Sequence, residues 1–92
     1  MHDYGGPGRS TAFAAAAMCA TSHPLAALTA LDLLRQGGNA VDAAVGGAVV
    51  LGFCEPMMCG LGGDVFAMIR DPATGSIAGL NGSGRAPAAL DA

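Results

Sequence analysis

From residue 24 to 36 the apolar positions Ala27, Leu28, Leu31 and Leu34 follow a helical stripe, while Thr29, Asp32, Arg35 and Gln36 fall mostly on another side. This pattern predicts an amphipathic helix. Pro24 suits its first turn, with Ser22 or His23 as the cap. Gly37 and Gly38 permit the left-handed residue that closes a helix, and Asn39, with Asp42 three residues on, is a good opening for the next. The second helix, 40 to about 52, carries Val41, Val45, Val49, Val50 and Leu51 with Asp42 as its one charge. No face of it is expected to be wet, so it is expected to be central. The pair Gly46-Gly47 costs roughly 2 kcal/mol of helix propensity relative to two alanines, which fits a site where another backbone approaches closely.

The rest of the chain is punctuated by turn residues. Residues 1–10 are polar and rich in glycine and predict an extended lead-in with little order of its own. Residues 11–21 hold four consecutive alanines but end at Ser22-His23-Pro24, and a short apolar run bounded by turn signals predicts a buried strand. Beyond Glu55-Pro56, the small-residue loop 57–63 leads to segments 64–70 and 76–80, which flank Asp71-Pro72-Ala73-Thr74-Gly75. That arrangement predicts a β-hairpin with a five-residue turn. The expected fold class is therefore α/β (α+β), in the order strand, helix, helix, hairpin. Residues 81–92 return to turn chemistry, with Gly82-Ser83-Gly84 expected as a tight loop whose backbone faces a ligand and Arg85 beside it.

Composition changes the picture of stability. At 92 residues there is room for one small domain, and such a chain shields only about 60% of its unfolded surface. The apolar fraction of 52% is mostly methyl groups, with three Phe, one Tyr and no Trp against 15 Gly. An alanine-rich core returns little at ~0.8 kcal/mol per buried methylene. The chain is expected to be a single incomplete domain packed against something larger.

Charge excludes several partners. Four Lys+Arg, all arginine, against seven acids give a net charge of −3 with no basic cluster. Nucleic-acid binding by counterion release has no source, and neither does a polybasic membrane-surface face. The apolar run 43–54 is 12 residues long, short of the 18 or more that a membrane-spanning helix needs. Residues 9–20 mimic a signal peptide but lack leucines and have Asp3 upstream, so a cytoplasmic location is expected, with a periplasmic or secreted one open if an export signal was removed. Three cysteines, an odd number, suit a reducing compartment better than a disulfide framework.

Candidate chemistry is sparse. Ser22 and His23 are adjacent, so on extended backbone they face opposite ways and serve better as a helix start than as nucleophile and base. Asp3 and His2 lie in the lead-in, with no spacing that supports a triad. The run Gly60-Leu61-Gly62-Gly63-Asp64-Val65 lacks the third glycine of a dinucleotide fingerprint, and no lysine exists for a P-loop. A tight turn feeding the hairpin is the better reading. Cys54, Met57, Met58 and Cys59 set four soft sulfur donors close together, a conceivable Cu(I) site, although both residue types are ordinary core filler. No cofactor is expected. Arg85 presents a planar fork suited to a carboxylate, with an ion pair to Asp64, Asp91 or a partner segment as the alternative.

Written together, Ser22-His23-Pro24-Leu25-Ala26, Leu33-Leu34-Arg35-Gln36-Gly37-Gly38-Asn39-Ala40-Val41-Asp42-Ala43-Ala44-Val45, Glu55-Pro56, Gly60-Leu61-Gly62-Gly63-Asp64 and Asn81-Gly82-Ser83-Gly84-Arg85-Ala86-Pro87 resemble the opening of the gamma-glutamyltransferase family over nearly all the chain after residue 18. The resemblance implies a four-layer αββα N-terminal nucleophile hydrolase, made as a precursor that cleaves itself into a large and a small subunit. It implies acyl transfer by a threonine at the start of the small subunit, activated by its own amine, with an oxyanion hole of backbone amides; both lie outside these residues. No catalytic residue is therefore expected here, and the implied partners are the remainder of the large subunit, the small subunit and a small-molecule amide. In glutathione-cleaving members an arginine in the segment matching 81–87 grips the donor carboxylate. With Ala86-Pro87 in register that position falls on Ser83, and Arg85 stands two residues later. Asn81, Ser83 and Arg85 are thus the substrate-binding candidates, and oxamate amidohydrolase and cephalosporin-acylase-like branches fit as well as glutathione hydrolases. The rival readings are a non-catalytic assembly chain and a soft-metal binder through Cys54 and Cys59.

Overall fold

The structure, a computed structural model, describes residues 10–90. Two helices precede two strands: α1 (Pro24–Arg35), α2 (Ala40–Cys54), β1 (Val65–Arg70) and β2 (Ile77–Gly82). The lead-in expected over 1–10 lies almost wholly outside the described residues. The mixed α/β content is as expected, but the strand expected over 11–21 does not form. A strand needs a ladder partner for its backbone groups, and β1 and β2 pair only with each other among the described residues. Residues 16–21 instead lie along the helices, where they share a hollow with Leu34, Ala43, Gly47 and Leu51.

Local chemistry sets each helix end. Pro24 opens α1, and His23, not Ser22, caps it through Nδ1, which accepts the Leu25 amide at 3.2 Å. At the other end Gly37 adopts φ +92°, so that its amide reaches the Leu34 carbonyl at 3.1 Å and the Gly38 amide reaches that of Leu33 at 2.9 Å. This is the paired closure that a left-handed glycine allows. Asn39 then accepts the Val41 and Asp42 amides at 2.8 and 3.0 Å while Asp42 accepts the Asn39 amide at 2.9 Å. That reciprocal box starts α2. It runs two residues past the expected end, to Cys54, and stops where Pro56 disfavours helical backbone at Glu55.

The short connection folds α2 back on α1. Their seam is made of methyls and bare backbone: Ala26, Ala30, Ala43 and Gly47 are buried, and no larger side chain is. The close approach expected at Gly46-Gly47 is present at Gly46, where it is made by a side chain rather than by backbone, while the backbone contact at Gly47 is of ordinary length. A Cβ at Gly46 would overlap the Leu33 side chain, and one at Gly47 would lie 3.5 Å from the Ala26 carbonyl. The expectation that α2 has no wet face fails within these residues. Val41, Val45, Val49 and Phe53, spaced by four, form one ridge that is exposed by 41, 58, 44 and 87%. Nothing among the described residues covers that ridge.

β1 and β2 form an antiparallel hairpin with register Val65↔Gly82 through Arg70↔Ile77. The Asp71 amide meets the Ser76 carbonyl at 2.8 Å, and Gly75, at φ +73°, turns the chain. β2 reaches Gly82 rather than the expected Leu80, because Phe66 and Val65 take Asn81 and Gly82 as partners. The turn Gly60 to Gly63, closed by an amide-to-carbonyl bond of 3.0 Å, delivers the chain to β1 as expected.

Candidate functional site

The three substrate-binding candidates follow the end of the hairpin. Asn81 sits in β2 opposite Phe66, and its side-chain oxygen accepts the Ser83 amide at 3.2 Å. That local turn leads the chain out of the strand. Gly82 is forced at the exit, since a Cβ there would stand 2.9 Å from the Val65 carbonyl oxygen. Gly84 follows at φ +80°. Residues two apart share a face only on extended backbone, and the left-handed Gly84 interrupts that alternation between Ser83 and Arg85. All three candidate side chains are exposed.

Arg85 makes no ion pair with Asp64; the one ion pair among the described residues joins Arg35 to Asp32 at 3.1 Å. Asp91 lies outside the described residues. Open hollows among the described residues include one of about 510 Å³ on the hairpin face bounded by Phe66, Met68, Leu80 and Asn81, and one of about 550 Å³ between residues 16–21 and α2. Only Asn81 of the candidates touches either. The arrangement offers a cation and polar groups on a glycine-jointed arm, and it contains no nucleophile with a base beside it.

The remaining sequence candidates are placed as follows. His23 is occupied as a cap, and the Ser22 hydroxyl points away from it, donating to Glu55 Oε2 at 2.7 Å. His2 and Asp3 lie outside the described residues. Cys54 ends α2 half-buried, whereas Met57 and Met58 are exposed by 94 and 81% and the Cys59 thiol donates to the Glu55 carbonyl at 3.6 Å. Among the described residues no group of three or more His, Cys, Asp or Glu converges as a metal site. Likewise, no helix there is long and apolar enough to cross a membrane.

The contact that sequence reasoning missed is Ser22 to Glu55, 33 positions apart. Both residues stood out as parts of separate motifs, but nothing in their spacing says that they meet. Only the return of α2 along α1 brings them together. Glu55 also accepts the Met58 and Cys59 amides on its carbonyl at 2.9 and 3.2 Å. One residue therefore fastens the start of α1 to the loop that leads to the hairpin.

Comparison with known proteins gives a consistent result. The family model described as Gamma-glutamyltranspeptidase matches residues 26–92. The chain is 46% identical to the glutathione hydrolase proenzyme of Bacillus subtilis (strain 168) over 77% of its own length and 12% of that protein's. It is 42% identical to the oxamate amidohydrolase proenzyme of Klebsiella pneumoniae subsp. pneumoniae over 75% of the chain and 13% of the relative. With the acylase ACY 1 proenzyme of Pseudomonas sp. (strain SE83) it shares 45% identity over 58% of the chain and 10% of the relative. The chain thus spans about an eighth of the length of these curated relatives.

Proposed function

The chain belongs to the gamma-glutamyltranspeptidase family, and from that premise we propose that it serves as one wall of an N-terminal nucleophile amide hydrolase or acyltransferase whose nucleophile lies elsewhere in the polypeptide. Its relatives carry the names of glutathione hydrolase, oxamate amidohydrolase and acylase proenzymes, and the reading extends that amide-cleaving, self-processing chemistry to the whole protein of which these residues are a part. The observation that carries it is the absence of a core. Among the described residues the only buried hydrophobics are Ala26, Ala30 and Ala43, while the ridge on α2 and both faces of the hairpin are open. β1 is apolar on both faces, with Val65, Ala67 and Ile69 on one and Phe66 and Met68 on the other, a pattern suited to a strand covered on each side. A central place in an αββα sandwich would cover them.

In this reading Arg85, with Asn81 and Ser83, binds the carboxylate of a small amide substrate. Glycines on either side of Ser83 let a ligand approach the backbone, and a guanidinium offers two parallel donors. The test uses the complete proenzyme. Arg85→Ala leaves self-cleavage intact and raises KM for a γ-glutamyl anilide or for oxamate by about 10- to 100-fold, as loss of a charged hydrogen bond requires. Arg85→Lys recovers only part of it, because an ammonium lacks the fork. Unchanged KM on every amide tried refutes the role of Arg85, and a precursor that neither processes nor cleaves any amide refutes the enzymatic reading. The open α2 ridge also fits a second reading, an assembly chain that docks without supporting catalysis, and that same null result favours it.

A further inference from the structure

We propose that Glu55, held by Ser22, is a positioning residue for substrate capture: it fixes the loop that enters β1, and that loop sets the arm carrying Ser83 and Arg85. The inference rests on the reading of Arg85 as a carboxylate binder and adds to it a residue that touches no substrate. Glu55 is tied through its amide, its side chain and its carbonyl. The amide donates to the Leu51 carbonyl at 2.7 Å, the carboxylate accepts the Ser22 hydroxyl at 2.7 Å, and the carbonyl accepts the Met58 and Cys59 amides at 2.9 and 3.2 Å. With the amide bond alone Glu55 could pivot where Pro56 turns the chain off the helix. The Ser22 hydroxyl removes that freedom by tying Glu55 to the residue before the His23 cap of α1. Both ends of this bond, the loop and the arm belong to this chain, so the contact does not depend on what covers the outer faces of the helices and the hairpin.

From Glu55 the restraint runs forward along the loop. The loop returns against the last turn of α2, where a Cβ on Gly52 would lie 3.5 Å from the Gly60 Cα, and it closes on itself through the Gly63 amide and the Gly60 carbonyl at 3.0 Å. It then enters β1 at Val65. Register sets Val65 against Gly82, so the chain enters and leaves the hairpin at the same end, with Asp64 and Ser83 next beyond that pair. The approach there is close, since a Cβ on Gly82 would stand 2.9 Å from the Val65 carbonyl oxygen. A displacement of Val65 therefore passes to Gly82 and on to Ser83, whose amide is bonded to Asn81 Oδ1 at 3.2 Å. A guanidinium fork grips a carboxylate only while both donors stay aligned, so Arg85 feels a small shift in the arm.

Steady-state kinetics of the complete, self-processed proenzyme test the proposal, with a γ-glutamyl anilide or oxamate as substrate, whichever the unaltered enzyme cleaves. Glu55→Ala and Ser22→Ala each raise KM by about 3- to 10-fold with kcat and self-cleavage unchanged, the pattern of lost binding rather than lost chemistry. The Ser22→Ala/Glu55→Ala double variant is no worse than either single one, because both remove the same bond. Glu55→Gln, which keeps an acceptor for the Ser22 hydroxyl, recovers most of the loss. Placed on Arg85→Ala, Glu55→Ala adds no further rise in KM, since it acts through that arm. A bond that only stabilised the fold would lower thermal stability and leave KM where it was. Cleavage of neither amide, or an unchanged KM in Arg85→Ala, removes the carboxylate-binding reading and the proposal with it. With KM raised in Arg85→Ala, three results overturn the proposal alone: no KM effect in Glu55→Ala and Ser22→Ala, additive rises in the double variants, or loss of self-cleavage in both single variants.

Discussion

Asp71 shows how one side chain fixes a turn. Its carboxylate accepts the Ala73 amide at 2.9 Å and the Thr74 hydroxyl at 2.8 Å, and these two bonds, the amide first, hold it below the usual carboxylate range against a small opposing effect of burial. A carboxyl whose folded value is depressed contributes stability above its unfolded value and loses it as pH falls through the folded one. The turn is therefore intact at neutral pH and loosens under acid. Titration followed by the Asp71 carboxyl resonance should give a midpoint below that of a free aspartate, and Asp71→Ala should remove the low-pH change in the Ala73 amide shift. A midpoint at the ordinary value would mean that these bonds do not persist in solution. His23 makes a related point, because a residue weighed as a base proves to spend its Nδ1 on a helix end.

At the scale of elements, most of what forms was legible from residue types. Pro24, Gly37, Asn39 and Asp42 each act locally through backbone geometry or a nearby amide, so sequence spacing alone specifies their effect. The hairpin was legible for the same reason, its ends shifting by one or two residues where cross-strand pairing outweighed turn signals. Residues 11–21 were misread because an apolar run becomes a strand only if a neighbour supplies a ladder, which local pattern cannot report. For the candidate site the sequence names residues and no geometry, since the direction of Arg85 hangs on the backbone of Gly84. Between elements, the bond from Ser22 to Glu55 closes the helix pair. In the complete proenzyme, Ser22→Ala should lower stability by about 1 kcal/mol or less, the site being partly exposed, and should speed amide exchange at Glu55, Met58 and Cys59 more than at Leu28 or Leu31. Equal acceleration along both helices would assign the bond no local role.

The whole molecule is open. Its accessible surface is 7920 Å², against about 4,800 Å² for a compact chain of 8.9 kDa, and its radius of gyration is 16.5 Å, against about 12 Å. A seam of three alanine methyls returns only about 2–3 kcal/mol, far below the cost of ordering some eighty residues. On its own, the 92-residue chain should therefore show no cooperative calorimetric transition; a sharp endotherm near 0.7 kcal/mol per residue, the order usual for globular domains, would contradict this. Sequence by itself determined the helix ends, the glycine seam, the hairpin and the family, because each rests on interactions among residues a few positions apart or on identity at matched positions. Tertiary structure alone decided that Ser22 meets Glu55 and that residues 16–21 lie along the helices. Those outcomes depend on which surfaces come together in space, and the energy of burial has no fixed spacing along a chain.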